Sequence, residues 1–224
     1  MKLDNVEMPP SLKEIAKRVL KKAILSKELQ AGNYYGIEEI GRQLNVSKTP
    51  VRDALIDLET QGFVTLSPRK GVLINKMTKK DIIDFYEFRL VMELAVIEHV
   101  EKLITAEDIN LLTRYMEKSE ECIKNNDRLS LLENDRKLHL YLARMTNNSF
   151  MIPQLERIRD FIDWTSLLRP ERMAEASSEH GQLIQCLSVH DLKGAKEVIK
   201  EHVEKSLQHA LDNLIKDPSK SVPN

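Results

Sequence analysis

Residues Ile37 to Leu58, IEEIGRQLNVSKTPVRDALIDL, constrain the fold more than any other stretch of the chain. They read as two short amphipathic helices joined by a tight turn at Asn45-Val46-Ser47. Ser47 suits the N-cap of the second helix, where its oxygen can accept a hydrogen bond from a helix-start amide. Pro50 fits only a first helical turn, where its missing N–H costs nothing. Val51, Leu55 and Leu58 turn inward and leave Lys48, Thr49 and Arg52 on the exposed face. Short donors at a helix start, with a bidentate-capable Arg one turn in, suit entry into a major groove. The plainer alternative is a solvated helix in any small bundle.

The flanking residues favour the groove. Gly62-Phe63-Val64-Thr65-Leu66 and Val72-Leu73-Ile74 are β-prone runs on either side of Ser67-Pro68-Arg69-Lys70-Gly71, which predicts a hairpin with two cations at its tip. Such a wing after a helix-turn-helix reaches phosphates or the adjacent minor groove. Upstream, Leu12, Ile15, Ala16, Val19, Leu20, Ala23 and Ile24 recur at helical spacing and supply a packing helix. Residues 1–77 therefore predict a winged helix-turn-helix of three helices plus a β-hairpin.

SKTPVRDALIDLETQGFV followed by RKGVLI resembles the DNA-binding half of the GntR family of bacterial transcription regulators, over roughly residues 12 to 76. The resemblance implies that Lys48, Thr49 and Arg52 contact DNA from the recognition helix and that Gly71 lets the wing backbone approach it. Ser47, Arg42, Arg69 and Lys70 complete the expected DNA-binding set. Two departures stand out. Lys48 occupies a position where Arg is usual, replacing a fork by a point charge. Glu38 lies where some members carry a phosphate-binding Arg, and Arg42 is one turn later.

Charge is distributed in the same sense. Residues 1–77 carry 13 Lys/Arg and 9 Asp/Glu, the remainder 21 and 26, within a chain of net charge -1. A mildly basic head on an acidic body fits a DNA-binding module joined to a domain with another task. Cys122 and Cys186 offer neither zinc-finger spacing nor a disulfide framework and read as reduced thiols. No signal peptide or long apolar run is visible, so no membrane partner is expected and a cytoplasmic location is. The tail, 217–224, is expected to fray.

Met77 to Asp81 reads as a junction, with Thr78 as an N-cap. From 78 to 216 the period is helical and Gly nearly absent, which predicts an all-α bundle with helices near 79–103, 106–125, 128–145, 149–168, 171–188 and 192–215. The fold expected is thus mainly α. Polar residues interrupt the apolar stripes. Asp135 and His139, at i and i+4, share a stripe with Leu131, Leu132, Leu138, Leu142 and Met145. His180 sits among Met173, Ala176, Leu183, Ile184 and Leu187, and His202 among Ala195, Val198, Ile199 and Leu207. A carboxylate in a core needs a partner. These four side chains could bind one divalent ion, Zn²⁺, Ni²⁺ or Mn²⁺, with positions left open. Alternatively each histidine bonds a backbone carbonyl, and Asp135 pairs with His139.

ENDRKLHLYLARMTNN, SSEHGQLIQCL and KEHVEKSL resemble the all-helical FCD ligand-binding domain of FadR-type GntR regulators. Its metal-binding members place an Asp and a His one turn apart, then a His on a later helix and another on the last. The resemblance implies Asp135, His139, His180 and His202 as metal ligands. Asn148 matches an Asn after the third bundle helix, where helix capping explains it. His99, His190 and His209 match nothing and read as surface or packing residues. FYEFRLVMELAV is similar to the first FCD helix, whose Arg faces the ligand cavity, which implies Arg89 as an effector contact. A guanidinium beside a metal would hold a carboxylate by fork and coordination together. The alternative is an internal Arg89–Glu93 pair bracing the bundle. Trp164 and Tyr141 could line the cavity or fill the core.

The expected protein is a homodimeric regulator, and a repressor, gripping a pseudo-palindromic duplex and answering to a small organic acid at a metal site. Two other possibilities remain: a purely structural metal with a different effector, and a metal-dependent enzyme, for which no extra carboxylate base is evident.

Overall fold

A computed structural model describes residues 9–26, 28–76, 78–166 and 170–216. The tail 217–224 and the Trp164 side chain, for which expectations were stated, lie outside the described residues. The chain divides into two compact units that meet in sequence at Met77 and Thr78.

In the first unit α1 (Leu12–Leu25) starts at a capping box, in which Ser11 and Glu14 satisfy each other's backbone amides. It packs against α3 through Ala16, Leu20 and Ile24, all buried. The outer positions of its apolar stripe, Leu12 and Val19, stay exposed. The helix-turn-helix consists of α2 (Ile37–Leu44) and α3 (Lys48–Thr60). Asn45 enters the left-handed region at φ 54° to close α2, a conformation Asn tolerates better than most residues. The turn is tight enough that a Cβ on Gly41 would lie 2.9 Å from the Val46 carbonyl oxygen. Val51, Ala54, Leu55 and Leu58 are fully withdrawn from solvent and form the core with Phe63, Val72 and Ile74.

The wing has β2 (Val64–Ser67) and β3 (Gly71–Ile74), paired antiparallel from Val64↔Ile74 to Ser67↔Gly71. A short strand absent from the sequence expectation, β1 (Tyr34–Tyr35), adds to the other edge of β3 and gives the order β1-β3-β2. Two residues are too few to show a period, so only the pairing reveals this strand.

The second unit is all helix among the described residues: α4 (Lys79–Val100), α5 (Ala106–Lys124), α6 (Arg128–Met145), α7 (Met151–Ser166), α8 (Pro170–Ser188) and α9 (Leu192–Lys216). The ends follow local chemistry. Thr78 with Asp81 and Thr105 with Asp108 form capping boxes. Asn126, Asn147 and His190 turn the chain at positive φ between helices. Asn148 Oδ1 accepts the Phe150 and Met151 amides at 3.0 and 3.1 Å and so starts α7. α9 packs on α4 and α8, α5 on α6 and α8, and α6 also on α4 and α7. Ile97, Leu112, Leu138, Ile158, Leu183 and Leu187 lie at the centre, each contributing about 1.5–3 kcal/mol by burial. No described helix is long and apolar enough to cross a membrane. Both cysteines are free thiols.

Candidate functional site

Inside the bundle the inward stripes of α4, α6, α7, α8 and α9 carry charge as well as hydrocarbon. Three buried imidazoles meet there, His139 from α6, His180 from α8 and His202 from α9, with candidate ligand atoms all within 4.8 Å of one another. His139 Nε2 and His180 Nε2 are 3.0 Å apart. A carboxylate stands near the Nδ1 of each ring: Glu93 Oε2 at 3.9 Å from His139, Asp135 Oδ1 at 3.4 Å from His180 and Glu179 Oε2 at 2.8 Å from His202. Carboxylates behind ring nitrogens fix the tautomer and direct the opposite lone pair.

At His202 the tautomer follows from both neighbours. Glu179 can only accept, so the proton sits on Nδ1, and Arg89 Nη2 donates to Nε2 at 2.8 Å. At His180 the Asp135 carboxylate faces Nδ1 at 3.4 Å, whereas Glu93 stands beyond hydrogen-bond reach of His139; one ring nitrogen from each of the three histidines nonetheless comes together, which suits a cation. A tetrahedral or octahedral ion separates its nitrogen ligands by roughly 3–3.4 Å, so the 3.0 Å pair already matches, and the His202 ligand atom lies within 4.8 Å of both. The donor set therefore fits a divalent ion. His202 Nε2 cannot serve Arg89 and an ion at once.

Three buried guanidiniums surround the histidines. Arg89, 1% exposed, donates Nε to Glu93 Oε1 at 2.6 Å and lies 5.6 Å from the Tyr86 ring centroid. It thus forms the bracing pair with Glu93 given above as the alternative, and also reaches His202 at the cavity wall. Arg159 on α7 pairs with Asp135. Arg172 on α8 donates Nη2 to Glu179 Oε2 at 2.8 Å, to the His202 carbonyl at 2.9 Å and to Ser206 Oγ at 3.0 Å. Asp135, expected as a fourth ligand, lies 3.8 Å from His139 Nε2 but is held by Arg159 and falls outside the group of converging ligand atoms, which comprises the three histidines.

Electrostatics follow this arrangement. Burial, reinforced by the Arg159 charge, pushes His139 well below the ordinary imidazole value. Burial also takes His180 down to about 3 and lowers His202 despite its bond to Glu179. The rings are neutral at pH 7, as metal ligands must be. Burial alone would raise the three carboxylates. It is outweighed by Arg89 at Glu93, by Arg159 at Asp135, and by the His202 and Arg172 hydrogen bonds at Glu179, so all three are ionised.

A cavity of ≈ 70 Å³ opens beside these groups, lined by Arg89, Asp135, Arg159, Arg172, His180 and His202 among others. By that measure about five waters fit, or a small acid. Arg159, Arg172 and Glu179 were not singled out in the sequence. Their signal was present: Arg159 falls in the stripe of Leu155, Ile158 and Ile162, Arg172 lies one turn before Ala176, and Glu179 adjoins His180. His209, expected at the surface or in packing, lines the cavity, with Nδ1 buried and lacking a hydrogen-bond partner among the described residues. His99 and His190 are exposed. Tyr141 lies outside the cavity lining and donates to Asp108.

In the first unit Ser47, Lys48, Thr49 and Arg52 are all exposed at the start of α3. Ser47 occupies the N-cap position without the expected side-chain bond. The third helical residue, the usual partner of a capping hydroxyl, is Pro50 and has no N–H to give. Lys48 Nζ pairs with Glu38 Oε1 at 2.8 Å, so the two departures from the family pattern meet each other. Arg42 pairs with Glu39. Arg69 and Lys70 are exposed at the wing tip, Lys70 lying 5.2 Å from the Tyr34 ring centroid. Gly71, at φ +89°, meets the first unit's own backbone: a Cβ there would lie 2.2 Å from the Tyr35 carbonyl oxygen.

The family models for "Bacterial regulatory proteins, gntR family" and for the FCD domain match residues 12–74 and 84–205. The HTH-type transcriptional regulator YdhC of Bacillus subtilis is 25% identical over 199 residues, which span 87% of each chain. The gluconate operon transcriptional repressor of Bacillus licheniformis is 24% identical over 197 residues, covering 87% of this chain and 80% of its own. Among solved structures, E. coli McbR/YncC superposes with a TM-score of 0.76 at 18% identity, covering 92% of this chain and 99% of that one, a likeness of fold. The metal-free FCD domain of the regulator TM0439 gives 0.56 at 28% identity over 63% of this chain and 99% of that one. With the FCD model alone spanning more than half of its length, the chain belongs to the gntR family of bacterial transcriptional regulators, in the group whose helix-turn-helix domain is followed by an FCD domain.

Proposed function

We propose that this regulator is a cytoplasmic, homodimeric repressor whose hold on a pseudo-palindromic operator is adjusted by a small organic acid bound at a metal site. Residues 1–77 form the DNA-binding domain and 78–216 the sensing domain. The observation that carries the sensing role is the cluster itself: three neutral histidines, a carboxylate behind each, and three buried arginines beside one cavity. His139, His180, His202 and Asp135 hold a divalent ion, Zn²⁺, Ni²⁺ or Mn²⁺. Such an ion supplies fixed positive charge and open positions for a carboxylate oxygen. Once His202 Nε2 is engaged as a ligand, Arg89 keeps Glu93 and presents its released Nη2 to the acid. The acid changes DNA affinity only as far as it binds one arrangement of the dimer better than the other.

On the DNA side, Arg52 reads a base, Lys48, Thr49 and Ser47 support it from the helix start, and Arg42, Arg69, Lys70 and the Gly71 turn contact the sugar-phosphate backbone. A dimer is needed because one winged helix reads only a few base pairs.

The test is a thermal-shift panel of organic acids on metal-loaded and EDTA-stripped protein, followed by DNA-release assays on an operator obtained by selection. One acid class should stabilise the loaded form alone, and by about 2.7 kcal/mol at 100 times its Kd. Stability lost in EDTA with no acid response would make the metal a structural brace, a role consistent with the Arg89–Glu93 and Arg159–Asp135 pairs. Arg52→Ala should cost about 1–3 kcal/mol of specific binding, and equal binding to selected and scrambled duplexes in wild type would end the DNA reading.

A further inference from the structure

Building on the metal-and-acid reading above, we infer that the cavity selects an acid with two anionic groups, and that Arg172 receives one of them. The three buried arginines are matched one to one by buried or half-buried carboxylates: Arg89 by Glu93, Arg159 by Asp135 and Arg172 by Glu179. At the rim, half-exposed Lys205 lies 3.1 Å from Glu179 Oε1, and half-exposed Glu175 lies 3.7 Å from Arg172 Nη1. These two add one charge of each sign and leave the balance unaltered. Histidines that ligate a metal are neutral, so the lining taken together with the carboxylates that pair its arginines is neutral. A divalent ion brings it to two positive charges, in an interior where uncompensated charge is costly. A monoanion cancels half of that, and a dianion cancels it.

Hydrogen bonding points the same way. Arg172 is 9% exposed, yet its Nε and Nη1 have no hydrogen-bond partner among the described residues, and neither does Nε of Arg159, 3% exposed. A buried donor left unmatched costs about 1–3 kcal/mol, so these N–H groups call for an acceptor. Arg172 lines the cavity and makes its hydrogen bonds through Nη2 alone, with Glu175 at ion-pair distance from Nη1. One acid group therefore belongs with the histidines and Arg89, the other with Arg172. The cavity, ≈ 70 Å³, restricts the carbon skeleton between them to a few atoms, against Leu131 and Met173.

Zinc-loaded full-length protein should be titrated calorimetrically and by thermal shift with matched pairs, succinate against butyrate and malonate against propionate. The diacid of at least one pair should bind ten times more tightly or better. In Arg172→Gln and Arg172→Lys that preference should fall below threefold while zinc still raises the melting temperature. Equal binding of diacid and monoacid, or a preference unaltered in both variants, overturns the inference and leaves the acid-sensing reading standing. Zinc binding with no response to any acid overturns both. The wild-type comparison decides the two-charge requirement even if neither variant folds.

Discussion

Glu179 offers the sharpest perturbation of the cluster, because it binds partners on three sides. Its carboxylate accepts from His202 Nδ1 and Arg172 Nη2, each at 2.8 Å, and faces Lys205 Nζ at 3.1 Å, while the residue is 6% exposed. Glu179→Leu leaves Arg172 buried without its counter-charge, which should cost about 3–5 kcal/mol. Glu179→Gln keeps one acceptor but weakens charge-assisted bonds to neutral-acceptor ones, a loss of about 1–2 kcal/mol. Both changes free His202 from its fixed tautomer and should lower zinc affinity by about 10–100-fold. The chain's single tryptophan, Trp164, belongs to the second unit, so its fluorescence in urea follows the unit that carries the cluster. Zinc affinity is read by competition with a chelating dye. A Glu179→Leu protein within about 1 kcal/mol of wild type, or a Glu179→Gln protein with unaltered zinc affinity, would refute the assignment of Glu179 as the group that orients His202.

Acid should destabilise the metal-free second unit from an unusually high pH. The unfolded chain takes up protons on His139, His180 and His202 near pH 6.5, whereas burial holds the folded rings lower, His180 at about 3. Stability is therefore complete above 6.5 and falls as pH drops toward 3, by up to about 1.4 kcal/mol per pH unit per ring, and urea titrations flat down to pH 5 would contradict this. Leu58→Ala, at a side chain with no exposed surface, should cost the first unit about 2–5 kcal/mol, measured by hydrogen exchange in α3. Gly71→Ala forces a Cβ against the Tyr35 carbonyl at positive φ and should abolish exchange protection at the β1–β3 pairing; retained protection would show that the chain yields there. Tyr141→Phe removes the hydroxyl that Asp108 holds, the bond that raises the Tyr141 pKa to about 12, and should lower the melting midpoint through a loss of about 1–2 kcal/mol.

Helix periods were legible in the sequence because the bundle helices carry long apolar stripes in a stretch nearly free of Gly. Asn126, Asn147 and His190 fall in the breaks, and Thr78 begins α4 as expected. The histidines were legible for the same reason, as polar residues interrupting those stripes. Arg159 and Arg172 carry the same signal, but a long charged side chain in a stripe also reads as one that reaches out to water. Only their burial and their partners on other helices separate the two cases. Strand β1 and the Glu38–Lys48 pair were not legible, since both arise from contacts between segments rather than from a local pattern.

That Glu38–Lys48 pair has a consequence for how DNA affinity can change. Both side chains are more than half exposed, so releasing the lysine costs under about 1 kcal/mol. In the DNA-binding role proposed above, Lys48 would leave this carboxylate cheaply for a phosphate or base. On that proposal the two positions act in opposite senses: loss of Glu38 frees a cation and should strengthen DNA binding, whereas loss of Lys48 leaves an unmatched carboxylate and should weaken it, each by no more than the pair itself is worth.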